Sequence, residues 1–337
     1  MGEKRKEKNM RAPYEMVNIF VNRPIVLGAI NSITEGFPMG EAWRRLILRV
    51  CVVYNWTNGA TPAADGIDLF LHGLTLRTSR GWTPFNNVPG RALRVIDQVK
   101  CCGEPTTFAV FAGADITLVQ QYNLWFSDPL AKRPEDTLLD TSLFNKVQMD
   151  LNFGNAVDFC YGAIGTDVIT TAVMDLYCER VKGKLPVKVK PVDYVEYGCP
   201  APVAVANLEM PLERANNIAY KRLYVHTAQA GILGSGFTGP PLDGAVTTIG
   251  VDSDKGELIQ QIPWVVHNTK MKQDYSIPTA AGTNGMVGWT VMDFVKDFSN
   301  MSALIAGYFS RLRLLWTVGA GATPQVSCAY EALKKIM

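Results

Sequence analysis

Apolar and polar residues alternate along much of this chain with the two-residue period of a half-buried strand. In 146-KVQMDLNF-153, Val147, Met149, Leu151 and Phe153 share one face, while Lys146, Gln148, Asp150 and Asn152 share the other. In 171-TAVMDLYCERV-181, Ala172, Met174, Leu176 and Cys178 alternate more weakly with Val173, Asp175 and Tyr177. The pattern predicts strands over 44–55, 67–77, 107–112, 116–127, 146–153 and 168–181. Helical spacing is rare. It is clearest in 89–100, where Leu93, Ile96 and Val99 follow a Pro89-Gly90 start. Further helix candidates are 256–262 and 293–308, the second also readable as strand and turn.

One strand pattern occurs twice. The segment 41-EAWRRLILRVCVVYNW-56 has a near-copy in 219-AYKRLYVHTA-228, and each copy is followed by an Asp-Gly pair, 65-DG-66 and 243-DG-244. A second anchor lies further on, where 144-FNKVQMDLNFGNA-156 resembles 309-FSRLRLLWTVGAG-321. Two anchors in preserved order point to a duplicated β domain. Between the copies, residues 182–203 hold four prolines and four lysines, so 182–205 is expected to be a linker. The expected layout is an N-terminal arm over 1–40, one eight-stranded jelly roll over 41–181, the linker, and a second jelly roll over 206–337. Neighbours on a strand point to opposite faces. Arg44 and Arg45 are therefore expected to diverge and to mark the wet face and base of the first long strand.

Composition sharpens this picture. The 337 residues are 47% hydrophobic and 19% charged, enough to bury a large core. A net charge of +2 argues against nucleic-acid binding over the whole surface. Cations gather at the N-terminus, where Lys4, Arg5, Lys6, Lys8 and Arg11 face only Glu3 and Glu7. They are candidates for contact with phosphates of lipid headgroups or nucleic acid. No apolar run approaches the ~20 residues of a membrane span, and no signal peptide is expected. Seven cysteines without a C-x-x-C pair fit a chain made and assembled in a reducing cytosol.

Candidate chemistry is sparse. His72, His226 and His267 have no second ligand at metal-binding spacing. The glycines Gly234, Gly236 and Gly239 spell G-x-G-x-x-G, but a proline pair follows, not a helix, so dinucleotide binding is rejected. The carboxylates Glu135 with Asp136, and Asp252 with Asp254, read as polar turns. No catalytic residue, cofactor or metal is expected.

Three stretches carry a family resemblance: 44-RRLILRVCVVYNWTNGATPAADGIDLFLHGLTLR-77, 89-PGRALRVIDQ-98 and 124-LWFSDPLAKRPEDTLLDTSLFNKVQMDLNFG-154. Their basic opening strand, Asp-Gly turn, helix start and Asp-rich loop before an alternating strand resemble major capsid proteins of tailless icosahedral viruses. These form the double jelly-roll lineage that includes the tectiviruses and the adenovirus hexon. The resemblance implies a structural virion protein with no enzymatic activity. It implies homotrimers that tile a shell as pseudo-hexagonal capsomers, minor capsid and vertex proteins as partners, an internal lipid membrane beneath, and no sequence-specific nucleic acid. Loops at 77–90, 128–143 and 252–285 are expected to form outer towers, with Trp82 and Phe85 as subunit contacts. The competing expectations are a carbohydrate-active or amide-cleaving hydrolase on the same scaffold, and a lectin-like binding module.

Overall fold

The computed structural model describes residues 14–55, 63, 65–100, 115–131, 134–160, 168–181, 194–200, 203–204, 208–215, 217–229, 241–243, 245–277, 286–295, 303–319 and 324–334. The first half runs through β1 (Tyr14–Pro24), β2 (Ile30–Ile33), β3 (Ala42–Asn55), α1 (Gly66–Phe70), β4 (Leu71–Thr78), β5 (Phe85–Val88), α2 (Gly90–Lys100), β6 (Asp115–Trp125), β7 (Leu139–Asp140), β8 (Val147–Phe153) and β9 (Val168–Val181). The second half holds β10 (Tyr194–Gly198), β11 (Val203–Ala204), β12 (Glu209–Pro211), β13 (Ile218–Gln229), β14 (Val246–Ser253), β15 (Gly256–Pro263), α3 (Trp264–Asp274), β16 (Trp289–Asp293), β17 (Leu304–Ile305), β18 (Leu312–Val318) and β19 (Pro324–Lys334).

These strands form three sheets. The first has the order β1-β9-β3-β6, with β7 on β3. The third has the order β12-β18-β14-β15. Between them a long sheet runs β16-β13-β19-β10-β5-β4-β8-β2, with β11 on β19 and β17 on β13. The β5-β4-β8-β2 end of this sheet closes over the first sheet, and the β16-β13-β19-β10 end closes over the third. In the first core, Leu46, Leu48 and Val50 of β3 belong to one buried cluster with Leu74 and Leu76 of β4 and Met149 and Leu151 of β8. In the second, Leu223 and Val225 of β13 cluster with Ile249 and Val251 of β14 and Leu314 and Trp316 of β18. The two sandwiches join where β10 pairs in parallel with β5, Tyr197 opposite Phe85 and Gly198 opposite Asn86.

The duplication holds strand by strand. β3 lies between β9 and β6 and carries β7 near its start; β13 lies between β19 and β16 and carries β17 near its start. β2 pairs with β8 as β12 pairs with β18. Each half has one helix of eleven residues directly after a proline, α2 after Pro89 and α3 after Pro263. Proline lacks the amide that a ladder needs, and the first amides of a helix have no intrahelical partner anyway.

Several expectations need correction. Of the expected arm 1–40, residues 1–13 lie outside the described residues, while 14–40 are part of the first sandwich, where β1 pairs along β9 and β2 pairs with β8. The expected linker 182–205 contains β10, whose five residues are all buried. Proline and lysine cluster beside this strand, while Tyr194–Gly198 itself has neither. The span 256–262 is strand, and the helix starts two residues later at Trp264. The span 67–77 opens with the short helix α1 before β4 begins. The expected strand 107–112 lies outside the described residues, as do 296–302 of the expected helix 293–308. Of the rest of that span, Leu304–Ile305 is a strand and Ala306–Tyr308 a 3₁₀ turn, which fits its alternative reading as strand and turn.

Candidate assembly interface

The twice-written basic segment forms the same local device in both halves. The register of β3 against β9 slips between Trp43 and Arg45, and that of β13 against β19 slips between Tyr220 and Arg222. Each slip leaves one extra residue, Arg44 or Lys221, opposite no partner. A bulge of this kind re-aims side chains, so two consecutive residues can reach the same side. Arg44 Nη1 lies 2.8 Å from Glu179 Oε1, and Arg45 Nε lies 2.5 Å from Glu179 Oε2. Lys221 Nζ lies 3.0 Å from Glu331 Oε1, and Arg222 Nη1 lies 3.1 Å from Glu331 Oε2. The same backbone bond braces each bulge: the Phe126 amide donates to the Arg44 carbonyl at 3.0 Å, and the Phe294 amide to that of Lys221 at 2.9 Å. Arg44 and Arg45 thus converge on one carboxylate, contrary to the divergence expected of a regular strand.

The two devices differ in burial. In the first, the side chains of Arg44, Arg45 and Glu179 are 26%, 22% and 11% exposed. In the second, those of Lys221, Arg222 and Glu331 are fully buried, because the first half covers them. Lys100, the last residue of α2, sets its Nζ 2.9 Å from Glu331 Oε1 and 3.4 Å from Asp128 Oδ1. Asp128, just beyond β6, pairs with Lys221 and accepts from Arg222 Nη1 at 3.0 Å. Tyr224 donates to Glu331 Oε2 at 3.0 Å, and Arg222 Nε sits 3.2 Å from Asp293 Oδ1 at the rim.

Three cations and two anions therefore fill a dry seam between the sandwiches, with Asp293 balancing the charge. Burial pushes the Glu331 and Asp128 carboxyls up, but Lys100, Lys221 and Arg222 more than offset it and hold both below the usual carboxylate range. Burial lowers the Lys100 ammonium against the pull of the two acids. Desolvation makes such a cluster a weak source of net stability, but a strong selector of one geometry once every member is paired.

The other singled-out residues have structural surroundings. Trp82 and Phe85, expected as subunit contacts, are 5% and 1% exposed within the single chain. Trp82 packs against Phe144 and Tyr194, and Phe85 stacks on Tyr197 at 4.7 Å. Their burial follows from β10, which delivers both tyrosines, so this expectation is corrected. Lys4, Arg5, Lys6, Lys8 and Arg11 lie outside the described residues, as does the glycine-rich 231–239. Asp252 pairs with Arg311 and Arg313, while Asp254 accepts the Ser310 and Arg311 amides, so both pin one hairpin to the start of β18. Glu135 and Asp136 sit in a 3₁₀ turn. His72 lies 3.1 Å from Asp158, His226 stacks near Trp289, and His267 bonds to the Ile249 carbonyl. Among the described residues no group of three or more His, Cys, Asp or Glu is placed to hold a metal ion.

No protein-family model and no curated protein matches the chain. Solved structures do. The STIV MCP superposes with a TM-score of 0.69 at 12% identity, covering 96% of this chain and 97% of that one. The atomic structure of Sulfolobus Turreted Icosahedral Virus gives 0.69 at 13%, covering 96% and 91%. The major capsid protein of bacteriophage PM2 gives 0.61 at 11%, covering 96% and 98%. The chain is a double jelly roll. At such identities this likeness is one of fold, and it extends over nearly the whole length of both partners. In this double jelly roll the bulged doublet marks the equivalent long strands β3 and β13 of the two units, and the second doublet with its glutamate is the half of the seam that α2 closes.

Proposed function

We propose that this chain is a viral major capsid protein, a structural subunit of an icosahedral shell. The observation that carries this reading is that the double jelly-roll likeness extends over 96% of the chain. It matches capsid subunits from end to end, and its two units are locked side by side by a shared sheet and a buried charge cluster. Two like units in one rigid subunit allow three copies to present six similar blocks, the geometry of a pseudo-hexagonal tile. The protein would then reside in the virion and contact further copies of itself, with minor capsid and vertex proteins as additional partners. A hydrolase on this scaffold finds no support among the matched structures, which are capsid proteins.

Size in solution and electron microscopy test this reading. Stable trimers, and tiles of six-lobed outline in assemblies, are the expected result; compact monomers that never assemble would overturn it. The cationic N-terminus is proposed to touch anionic headgroups of an internal membrane. Deleting residues 2–11 should leave trimers intact and abolish binding to phosphatidylserine vesicles. Unchanged vesicle binding would remove the membrane contact from the proposal and leave the shell role untouched.

A further inference from the structure

We infer that α3 of one copy docks on the outer face of the β1-β9-β3-β6 sheet of the next, repeating between chains the contact that α2 makes within one. This rests on the shell reading above and names the surfaces that would build its trimer.

The argument starts from two helices in equivalent places with unequal surroundings. α2 is buried at every position except the half-buried Asp97. Its near side is held by its own unit: Arg91 pairs with Asp65 and Arg94 with Asp68 at 2.6 Å, and Asp97 accepts from Asn123 and Trp125. Its far end enters the second unit through Lys100. α3 is held on its near side in the same manner, with Asn268 donating to the Trp289 carbonyl and His267 bonded to that of Ile249. Only Trp264, His267, Asn268 and Met271 of this helix are buried, and Val265 and Val266 are 65% and 47% exposed. Two adjacent valines standing in water on a helix whose counterpart is enclosed are an unfilled contact.

The sheet faces show the same inequality. On β13 the outward residues Arg222, Tyr224 and His226 are 0% exposed: Arg222 meets Asp128 of the first unit and Tyr275 at the end of α3, Tyr224 belongs to the first unit's buried cluster, and His226 lies against Trp289. Their counterparts on β3 are Arg45, Ile47 and Arg49. Ile47 is buried at 8%, but the Arg45 and Arg49 side chains are 22% and 44% exposed, and Val119, opposite Cys51 on the neighbouring β6, is 48% exposed. The first doublet on Glu179 is an open copy of the closed doublet on Glu331.

Charge fits the same occupant. Counted from the prolines, Asp274 of α3 stands where Lys100 stands on α2. Inside the chain, Lys100 meets a doublet that already has both Glu331 and Asp128. Among the described residues the first doublet pairs with one carboxylate, Glu179, which leaves one positive charge in excess for Asp274 of a neighbouring copy to neutralise. The contact is head-to-tail, since helix and sheet face lie on different units. Head-to-tail contacts close into rings when the rotation permits. If each chain supplies two equal steps, three chains complete six.

The test uses the full chain in two variants. One carries Val265→Asp with Val266→Asp, and the other Val119→Asp with Arg49→Asp. Sedimentation velocity gives their size, and circular dichroism checks that each folds. Each variant alone should sediment as a monomer under conditions where the wild-type chain is a trimer. An equimolar mixture should form a 1:1 dimer and stop there, because it retains one intact helix and one intact sheet face. Wild-type monomers would overturn the shell reading together with this contact. A trimeric wild type whose folded variants stay trimeric, or whose mixture stays monomeric, would overturn this contact alone. Should the sheet-face pair fail to fold, Asp274→Arg provides the second arm: a trimer at least 100-fold weaker is expected, and unchanged affinity would overturn the proposal.

Discussion

Replacing Glu331 by Gln removes one of two fully buried acids from a seam that holds Lys100, Lys221 and Arg222. The amide keeps the shape and one acceptor but no charge, so three cations are left with Asp128 inside and Asp293 at the rim. Leaving buried charge uncompensated in this way costs about 3–5 kcal/mol. At roughly 2 °C per kcal/mol for a large domain, the midpoint should fall by about 6–10 °C. The matched control is Arg77→Gln. It breaks the 2.7 Å pair with Asp150, in which the arginine side chain is 57% exposed, and should cost about 0–1 kcal/mol. Urea unfolding followed by circular dichroism measures both. A companion variant, Lys100→Met with Glu331→Gln, removes one charge of each sign and should be less destabilised than Glu331→Gln with wild-type Lys100. If Glu331→Gln costs no more than Arg77→Gln, the seam is not a dry, mutually dependent cluster.

Trp82→Ala should destabilise the fold by about 3–5 kcal/mol through the cavity it opens, while the size of the assembled species at low temperature stays unchanged; a shift in assembly without loss of stability would return Trp82 to the surface. At Gly250 an added Cβ would sit 2.7 Å from the Gln261 Cα and 2.8 Å from the Ile259 carbonyl. Gly250→Ala should therefore cost about 1–3 kcal/mol, and a neutral result in thermal melts would contradict the close approach of β14 and β15. Asp128 and Glu331 have folded-state pKa values below their unfolded ones, so their contribution is present above the unfolded values and is lost as pH falls through the folded ones. Melting temperature should drop as pH falls below about 4, and Glu331→Gln should flatten that drop. Asp68 acts oppositely: burial, set against the pull of Arg94, raises it from 3.8 to about 6. Its contribution declines as pH rises across that interval, and Asp68→Asn should remove this slope.

Much of the architecture is readable in the residues because a sandwich with one wet face per sheet writes its alternation plainly. Val147, Met149, Leu151 and Phe153 are buried and Gln148, Asp150 and Asn152 are half-buried, as their period demands. The likeness of the two basic segments, 41–56 and 219–228, is legible because charged residues are unusual so deep in apolar strands. What stayed hidden is non-local. β10 is buried throughout and has no alternation, so nothing in Tyr194–Gly198 distinguishes it from its proline-rich surroundings. The bulges depend on a slip against β9 and β19, more than a hundred residues away, and without them Arg44 and Arg45 read as divergent. From the sequence, Lys100 reads as the end of a helix and Asp128 as the start of a loop. Their partners come from the other half of the chain, and no local pattern marks that meeting. Trp82 misled for the same reason, since Tyr194, which covers it, lies in the expected linker.

The parallel pairing of β10 with β5 has a mechanical consequence. A sheet that runs unbroken from one unit into the other leaves no flexible joint at which they could turn. To pivot, the molecule would have to break backbone hydrogen bonds and expose paired charges at once. Each subunit is therefore stiff across its full width. If many copies assemble into the proposed shell, bending has to be absorbed at the boundaries between molecules, and the radius of what they enclose is set there.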